Sequence, residues 1–226
     1  MNEEKLKTQK DYRRIAEIYA KDFGNENDNY EIVDRAISLL RKADLIDNKV
    51  IDLGSGPGNL SEYLYKHGLH NLTLVEFVPE FISILKRRLP KVNIVEEEMT
   101  KFLDTCDKDS VGGIFAGFSI IHIPDNEVDE LFSNIFKTLV TKGIFFMSCH
   151  KGNTKGLEIE PYQIDNDPRL NTDEKLEFYS NYFTEAELEK RLKKVGFRNI
   201  EINTFTPIVR SGDMPVPKIL LTAQKL

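Results

Sequence analysis

The sequence predicts a doubly wound α/β fold, a mostly parallel sheet with helices on both faces. Apolar strand-length runs alternate with amphipathic helical runs from Lys49 to Ser148, the pattern of parallel strands joined by crossover helices. The stretch K-V-I-D-L-G-S-G-P-G-N-L at 49–60 reads as a buried strand (Val50, Ile51, Leu53), a turn with Gly54, Gly56 and Gly58, then a helix. That order builds a ligand pocket at the carboxyl end of a parallel sheet. A chain of 226 residues, 40% hydrophobic and 30% charged, fits one ordinary domain over 1–226 with a sizeable core.

Each element has its own signal. Tyr12, Ile15, Ala16, Ile18 and Tyr19 fall at mostly helical spacing within about 9–23, and G-N-E-N-D at 24–28 breaks that helix. A second helix over 30–42 aligns Ile32, Val33, Ala36, Ile37 and Leu40. After the strand ending at Leu53, a helix runs to His67, with Gly68 where a C-terminal cap belongs. A strand over 71–76, a helix over 79–88 opened by Pro79, and a short strand over 92–95 follow. Glu96, Glu97 and Glu98 then read as a solvated turn. Residues 111–118 form a fourth, glycine-thinned strand, 125–139 a helix with Asp125 as N-cap, and 143–148 a fifth strand. Residues 151–181 are polar and punctuated but carry Tyr162, Phe178 and Tyr179, which favours a functional insert over a disordered one. Thr184 and Glu187 form a capping box on a helix ending at Gly196. Two final strands, 197–206 and 218–224, are joined by a proline-bearing link (Pro207, Pro215, Pro217) that suits an antiparallel hairpin.

The turn discriminates among cofactors. A dinucleotide fingerprint needs glycine at position 59, which is Asn59, and a P-loop needs a lysine that is absent. Asp52 would repel a pyrophosphate, yet it suits a ligand carrying an ammonium and a sulfonium. Glu76 ends the second strand about twenty residues further on, where an acid can accept both hydroxyls of a ribose. S-adenosylmethionine satisfies both acids.

D-L-G-S-G-P-G followed by L-T-L-V-E-F resembles the first two motifs of the class I S-adenosylmethionine-dependent methyltransferases. The similarity continues through F-A-G-F-S-I-I-H-I-P (115–124) and Y-F-T-E-A-E-L-E-K-R-L-K-K-V-G-F (182–197), and covers most of the chain from Tyr12. It implies a Rossmann-like seven-stranded sheet with an antiparallel last strand, a helical lid over 1–45, and an insert at 151–181 over the substrate site. It also implies S-adenosyl-L-methionine as cofactor and S-adenosyl-L-homocysteine as product. The matching cofactor positions are Asp52, Gly54, Ser55, Gly56, Glu76, Phe77 and Phe118. Glu98 and Met99 stand at the acid–apolar pair that faces adenine, where aspartate is the commoner acid. The lid-like pattern Y-x-x-I-A-x-x-Y-A offers Tyr12 and Tyr19; two core tyrosines are the alternative. The bland alternative for the glycines is a turn in another doubly wound protein.

Methyl transfer from a sulfonium is an in-line displacement that relies on orientation and desolvation, with a base needed only if the acceptor keeps its proton. His122, after the fourth strand, is the candidate general base, with packing as the alternative, and His150 is a second, weaker candidate. Asp125-Asn126 lacks the supporting acids of a metal site, so none is expected. The run A-G-F-S lacks the Pro-Pro-aromatic sequence of amino-methylating nucleic-acid enzymes, and net charge is −6. A small-molecule acceptor is therefore expected, and no nucleic-acid partner. No run is long enough to span a membrane, and the charged N-terminus lacks a signal's apolar core. Cys106 and Cys149 are too few for a disulfide framework, so a cytoplasmic setting is expected. Two alternatives stand beside this reading: a non-catalytic S-adenosylmethionine-binding module, and a nicotinamide-dependent oxidoreductase, which Asn59 and Asp52 disfavour.

Overall fold

The computed structural model describes residues 2–23, 30–159, 175–207 and 215–226. Helices α1 (Glu3–Phe23) and α2 (Tyr30–Lys42) precede β1 (Val50–Leu53), α3 (Asn59–Lys66), β2 (Leu72–Glu76), α4 (Pro79–Arg88) and β3 (Asn93–Glu96). Next come α5 (Met99–Asp104), β4 (Val111–Gly117), a 3-10 turn (Ile120–His122), α6 (Asp125–Thr138) and β5 (Leu139–His150). The chain ends with β6 (Lys155–Ile159), β7 (Glu177–Asn181), α7 (Glu185–Val195), β8 (Arg198–Phe205) and β9 (Lys218–Gln224).

Seven strands form one sheet in the order β3-β2-β1-β4-β5-β9-β8. The first five run parallel, and β9 is inserted antiparallel to both β5 and β8. The chain leaves β1 toward β3, then returns to place β4 on the other side. Ligands bind outside the carboxyl ends of the strands at such a switch point.

Strand alternation sets the two core layers. Ile51, Leu53, Ile114, Phe145 and Met147 face α5, α6 and α7, whereas Val50, Leu74, Phe115 and Phe146 face α2, α3 and α4. Each large apolar side chain buried contributes roughly 1.5–3 kcal/mol. A third cluster joins Tyr12, Ile15 and Ile18 of α1 to Phe81 and Ile84 of α4 and Phe178 of β7, which seats α1 at the strand ends.

Several expectations need correction. Helix α1 begins at Glu3, earlier than its apolar stripe indicated. The helix after β3 was not foreseen: Glu98, read as part of a solvated turn, is buried and caps α5. Pro124, and not Asp125, is the N-cap of α6; the Asp125 carboxylate instead meets Arg191 at 2.8 and 3.0 Å and Lys155 at 3.1 Å. Strand β4 stops at Gly117, and Phe118 turns the chain away with φ +51°. Part of the polar insert is a two-stranded antiparallel pair, β6 with β7; Tyr162 lies outside the described residues. The Thr184 cap holds, its hydroxyl accepting from Glu187 N at 3.3 Å.

Candidate cofactor and acceptor site

The glycine turn is laid on the end of β2, where Gly54 N and Ser55 N both donate to the Val75 carbonyl at 2.8 and 3.1 Å. Gly54 has φ +68°, and a Cβ there would stand 2.5 Å from Ser119 Cβ and 3.0 Å from Met99 Cε. Its lack of a side chain lets the turn, Ser119 and Met99 converge. Gly56 differs: φ is +53°, but a Cβ would meet nothing within 4 Å. That face of the turn is open, as a ligand's approach requires.

One carboxylate holds this turn and a second lies beneath it. Glu76 Oε2 accepts from Gly56 N at 2.7 Å, and Oε1 accepts from Phe77 N and Val78 N at 2.7 and 2.8 Å. Three of roughly four acceptor positions on this buried carboxylate are thus taken by backbone, so Glu76 fixes the turn before it meets any ribose. Burial raises its pKa, and the three amides oppose the rise. Asp52 lies on the Val50 face of β1, beneath α3, where the Ser61 hydroxyl donates to it. Burial, with help from the Glu76 charge and against the Ser61 bond, pushes Asp52 up to about 7. Ser55 is buried and donates to the Asp52 carbonyl at 3.0 Å.

Glu98 and Met99 start α5 beside this turn. The Glu98 carboxylate accepts from Thr100 N at 3.1 Å, Lys101 N at 3.3 Å and the Lys5 ammonium of α1 at 3.1 Å. Burial would raise its pKa, but Thr100 and Lys5 outweigh that and hold it below the ordinary carboxylate value. Phe77 is half-buried, and its carbonyl accepts from the Gln9 amide of α1.

On the β4 side, Ser119 donates to the Leu53 carbonyl, tying the 3-10 turn to β1. His122 Nδ1 lies 2.7 Å from the Tyr179 carbonyl and Nε2 lies 2.9 Å from the Tyr12 hydroxyl. A carbonyl only accepts, so Nδ1 carries the proton and Nε2 accepts from Tyr12. Burial brings His122 down to about 4. Tyr19 packs edge-on to Tyr12, with ring centroids 5.5 Å apart. Phe118 sits 5.3 Å from the His150 ring, and His150 has a buried Nδ1 with no hydrogen-bond partner among the described residues. Burial, and then Lys218 and His122, bring His150 down to about 4.

Asp52, Gly54, Ser55, Gly56, Glu76, Phe77, Glu98 and Met99 therefore gather at the ends of β1, β2 and β3. Tyr12, Tyr19 and His122 stand on the β4 side, and Phe118 and His150 lie at the ends of β4 and β5. Sequence reasoning missed Lys5, Gln9, Ser119 and Tyr179. Lys5 carried a signal, standing two helical turns before Tyr12 on the same stripe of α1, and Tyr179 one as an aromatic of the polar insert.

Residues 50–143 match a family described as "Methyltransferase domain". A mouse (Mus musculus) protein, EEF1A lysine methyltransferase 2, is 28% identical over 165 residues, 66% of this chain. The chain spans 62% of the length of that relative. Among solved structures, Burkholderia thailandensis 1,6-didemethyltoxoflavin-N1-methyltransferase, with bound 1,6-didemethyltoxoflavin and S-adenosylhomocysteine, superposes with a TM-score of 0.65 at 17% identity, covering 97% of this chain and 88% of that one. A SAM-dependent methyltransferase from Archaeoglobus fulgidus gives a TM-score of 0.62 at 15% identity, covering 92% and 98%. Residues 50–143 thus resemble a methyltransferase domain, and the seven-stranded sheet has the fold of these S-adenosylmethionine-dependent methyltransferase structures.

Proposed function

We propose that the chain transfers a methyl group from S-adenosylmethionine to a small-molecule acceptor by in-line displacement. The observation that supports it most is the Gly56 amide held by Glu76 with the opposite face of Gly56 open, at the sheet's switch point. S-adenosylmethionine supplies, when bound, a methyl group already activated on a sulfonium. The remaining acceptor position of Glu76 serves the ribose, Asp52 lies beneath the turn where the ligand's cationic end favours its ionised form, and Glu98 and Met99 flank the adenine. Ser55, Phe77, Phe118 and Tyr19 complete the wall. His122 Nε2 receives the acceptor's proton, reached through the Tyr12 hydroxyl.

A small acceptor is favoured because α1 and β7 cover the strand ends. Tyr179 N of β7 donates to Thr8 at 3.0 Å and Glu177 N to Asp11 at 2.8 Å, a roof that excludes water and strengthens charge interactions inside. Free Cys106 and Cys149 suit the reducing, cytoplasmic setting expected from sequence. A second reading, a protein lysine acceptor, is favoured by the likeness to the mouse relative. Incubation with methyl-labelled S-adenosylmethionine decides between them. Label in low-molecular-weight amines, phenols or thiols supports the first, and label confined to elongation factor 1A supports the second. Any turnover removes the non-catalytic alternative, and NADH binding without S-adenosylhomocysteine binding would revive the nicotinamide one.

A further inference from the structure

Lys5 is 4% exposed, an unusual place for a lysine. Its ammonium stands 3.1 Å from Glu98 Oε1 and 3.3 Å from Thr100 Oγ1, and it also bonds Glu127 Oε2 of α6. Asn2 donates to the other oxygen of Glu127 at 2.8 Å. One residue of α1 thereby grips two elements beneath it. A buried ammonium is tolerated only with such partners, and removing it leaves the buried Glu98 carboxylate without its cation. The rest of α1 meets α4 and β7 through packing on Phe81 and Phe178, bonds of Thr8 and Asp11 to β7, and the Arg13–Glu80 pair, while Lys5 ties it to α5 and α6.

Glu98 is the hinge of the argument. Its Oε2 is filled by Thr100 and Lys101, so Oε1 alone keeps room for another donor beside Lys5. We propose that Lys5 is a positioning residue that couples the seating of α1 to cofactor occupancy, by presenting the free acceptor position of Glu98 to the ligand and by holding α1 closed over it. This rests on the reading of the site as one for S-adenosylmethionine. Lys5 holds that carboxylate ionised and oriented, so lid closure prepares the acceptor that adenine meets and each favours the other.

The test uses the full chain with S-adenosylhomocysteine as probe, comparing wild type and Lys5→Met by stopped-flow dissociation and by amide hydrogen exchange. Dissociation should be about tenfold faster or more in Lys5→Met, the range of ordinary coupling energies. The probe should protect residues 3–23 from exchange in wild type but not in the variant, with α7 unaffected in both. Wild-type dissociation together with wild-type protection of 3–23 in a folded Lys5→Met overturns the proposal. Failure of the wild type itself to bind S-adenosylhomocysteine overturns the cofactor reading and the proposal with it. If Lys5→Met does not fold, Glu127→Gln keeps the residue's size and should show the same two changes to a smaller degree; wild-type behaviour there overturns the proposal equally.

Discussion

His122 Nε2 accepts the Tyr12 hydroxyl at 2.9 Å while Nδ1 is held by the Tyr179 carbonyl at 2.7 Å. The ring is neutral, fixed in one tautomer, and presents its basic nitrogen to α1. This pairing links the element expected to cover the site to the candidate base after β4.

Replacing His122 with Ala should lower turnover about a hundredfold, the lower end of general-base effects, with little change in S-adenosylhomocysteine affinity. Tyr12→Phe, which removes only the hydroxyl, should fall between that variant and wild type. Full turnover in His122→Ala at every pH would leave packing as the role of this ring.

Acid should act on the same histidine. His122 titrates near 4 folded but near 6.5 unfolded, so the unfolded state binds the proton first. Stability is complete above about 6.5 and is lost as pH falls toward 4. Equilibrium unfolding across that window should show a shallower loss in His122→Ala.

Gly54 and Gly56 should respond differently. Gly56→Val projects into open space but strains a positive φ, so the fold should survive with a loss of about 1–3 kcal/mol and S-adenosylmethionine binding should disappear. Gly54→Ala drives a Cβ into Ser119 and should destabilise the fold by about 1–3 kcal/mol, the usual cost of overpacking. Thermal melts with ligand titration separate the two. Undiminished affinity in a folded Gly56→Val would place the ligand elsewhere.

Asp52→Asn gives a pH-dependent stability signature. Asp52 holds its proton to about 7 folded and loses it near 3.9 unfolded. Wild-type stability from this group is present below about 4 and is lost as pH rises toward 7, leaving Asn ahead by on the order of a few kcal/mol at pH 8. Denaturant titrations at pH 5 and pH 8 should show the variant's advantage growing with pH. Parallel curves would mean that Asp52 is ionised in the folded chain.

The layered sheet was legible because strand and helix periods leave direct traces in apolar spacing, and the glycine turn because its conformations restrict residue choice. Helix α5 was not, since its six residues hold too little periodicity and its cap is a glutamate, outside the usual capping residues, whose other oxygen is held by Lys5, 93 positions away. Asp125 misled for a related reason: an acid before a helical run fits a cap, but Arg191 and Lys155 arrive only through tertiary packing. For Glu76 the position was legible but its bond to Gly56 N was not, because that partner arrives only once β1 and β2 lie side by side.

The most direct test of the adenosine site is calorimetric titration of S-adenosylmethionine and S-adenosylhomocysteine into wild type and Glu76→Ala. The variant loses a charged acceptor and leaves the amides of Gly56, Phe77 and Val78 without it. Hydrogen bonds to a charged group contribute about 1.5–3 kcal/mol, so both ligands should weaken about ten- to a hundredfold, by similar factors because they share the ribose. Unchanged affinity for both ligands in a folded Glu76→Ala would contradict the account.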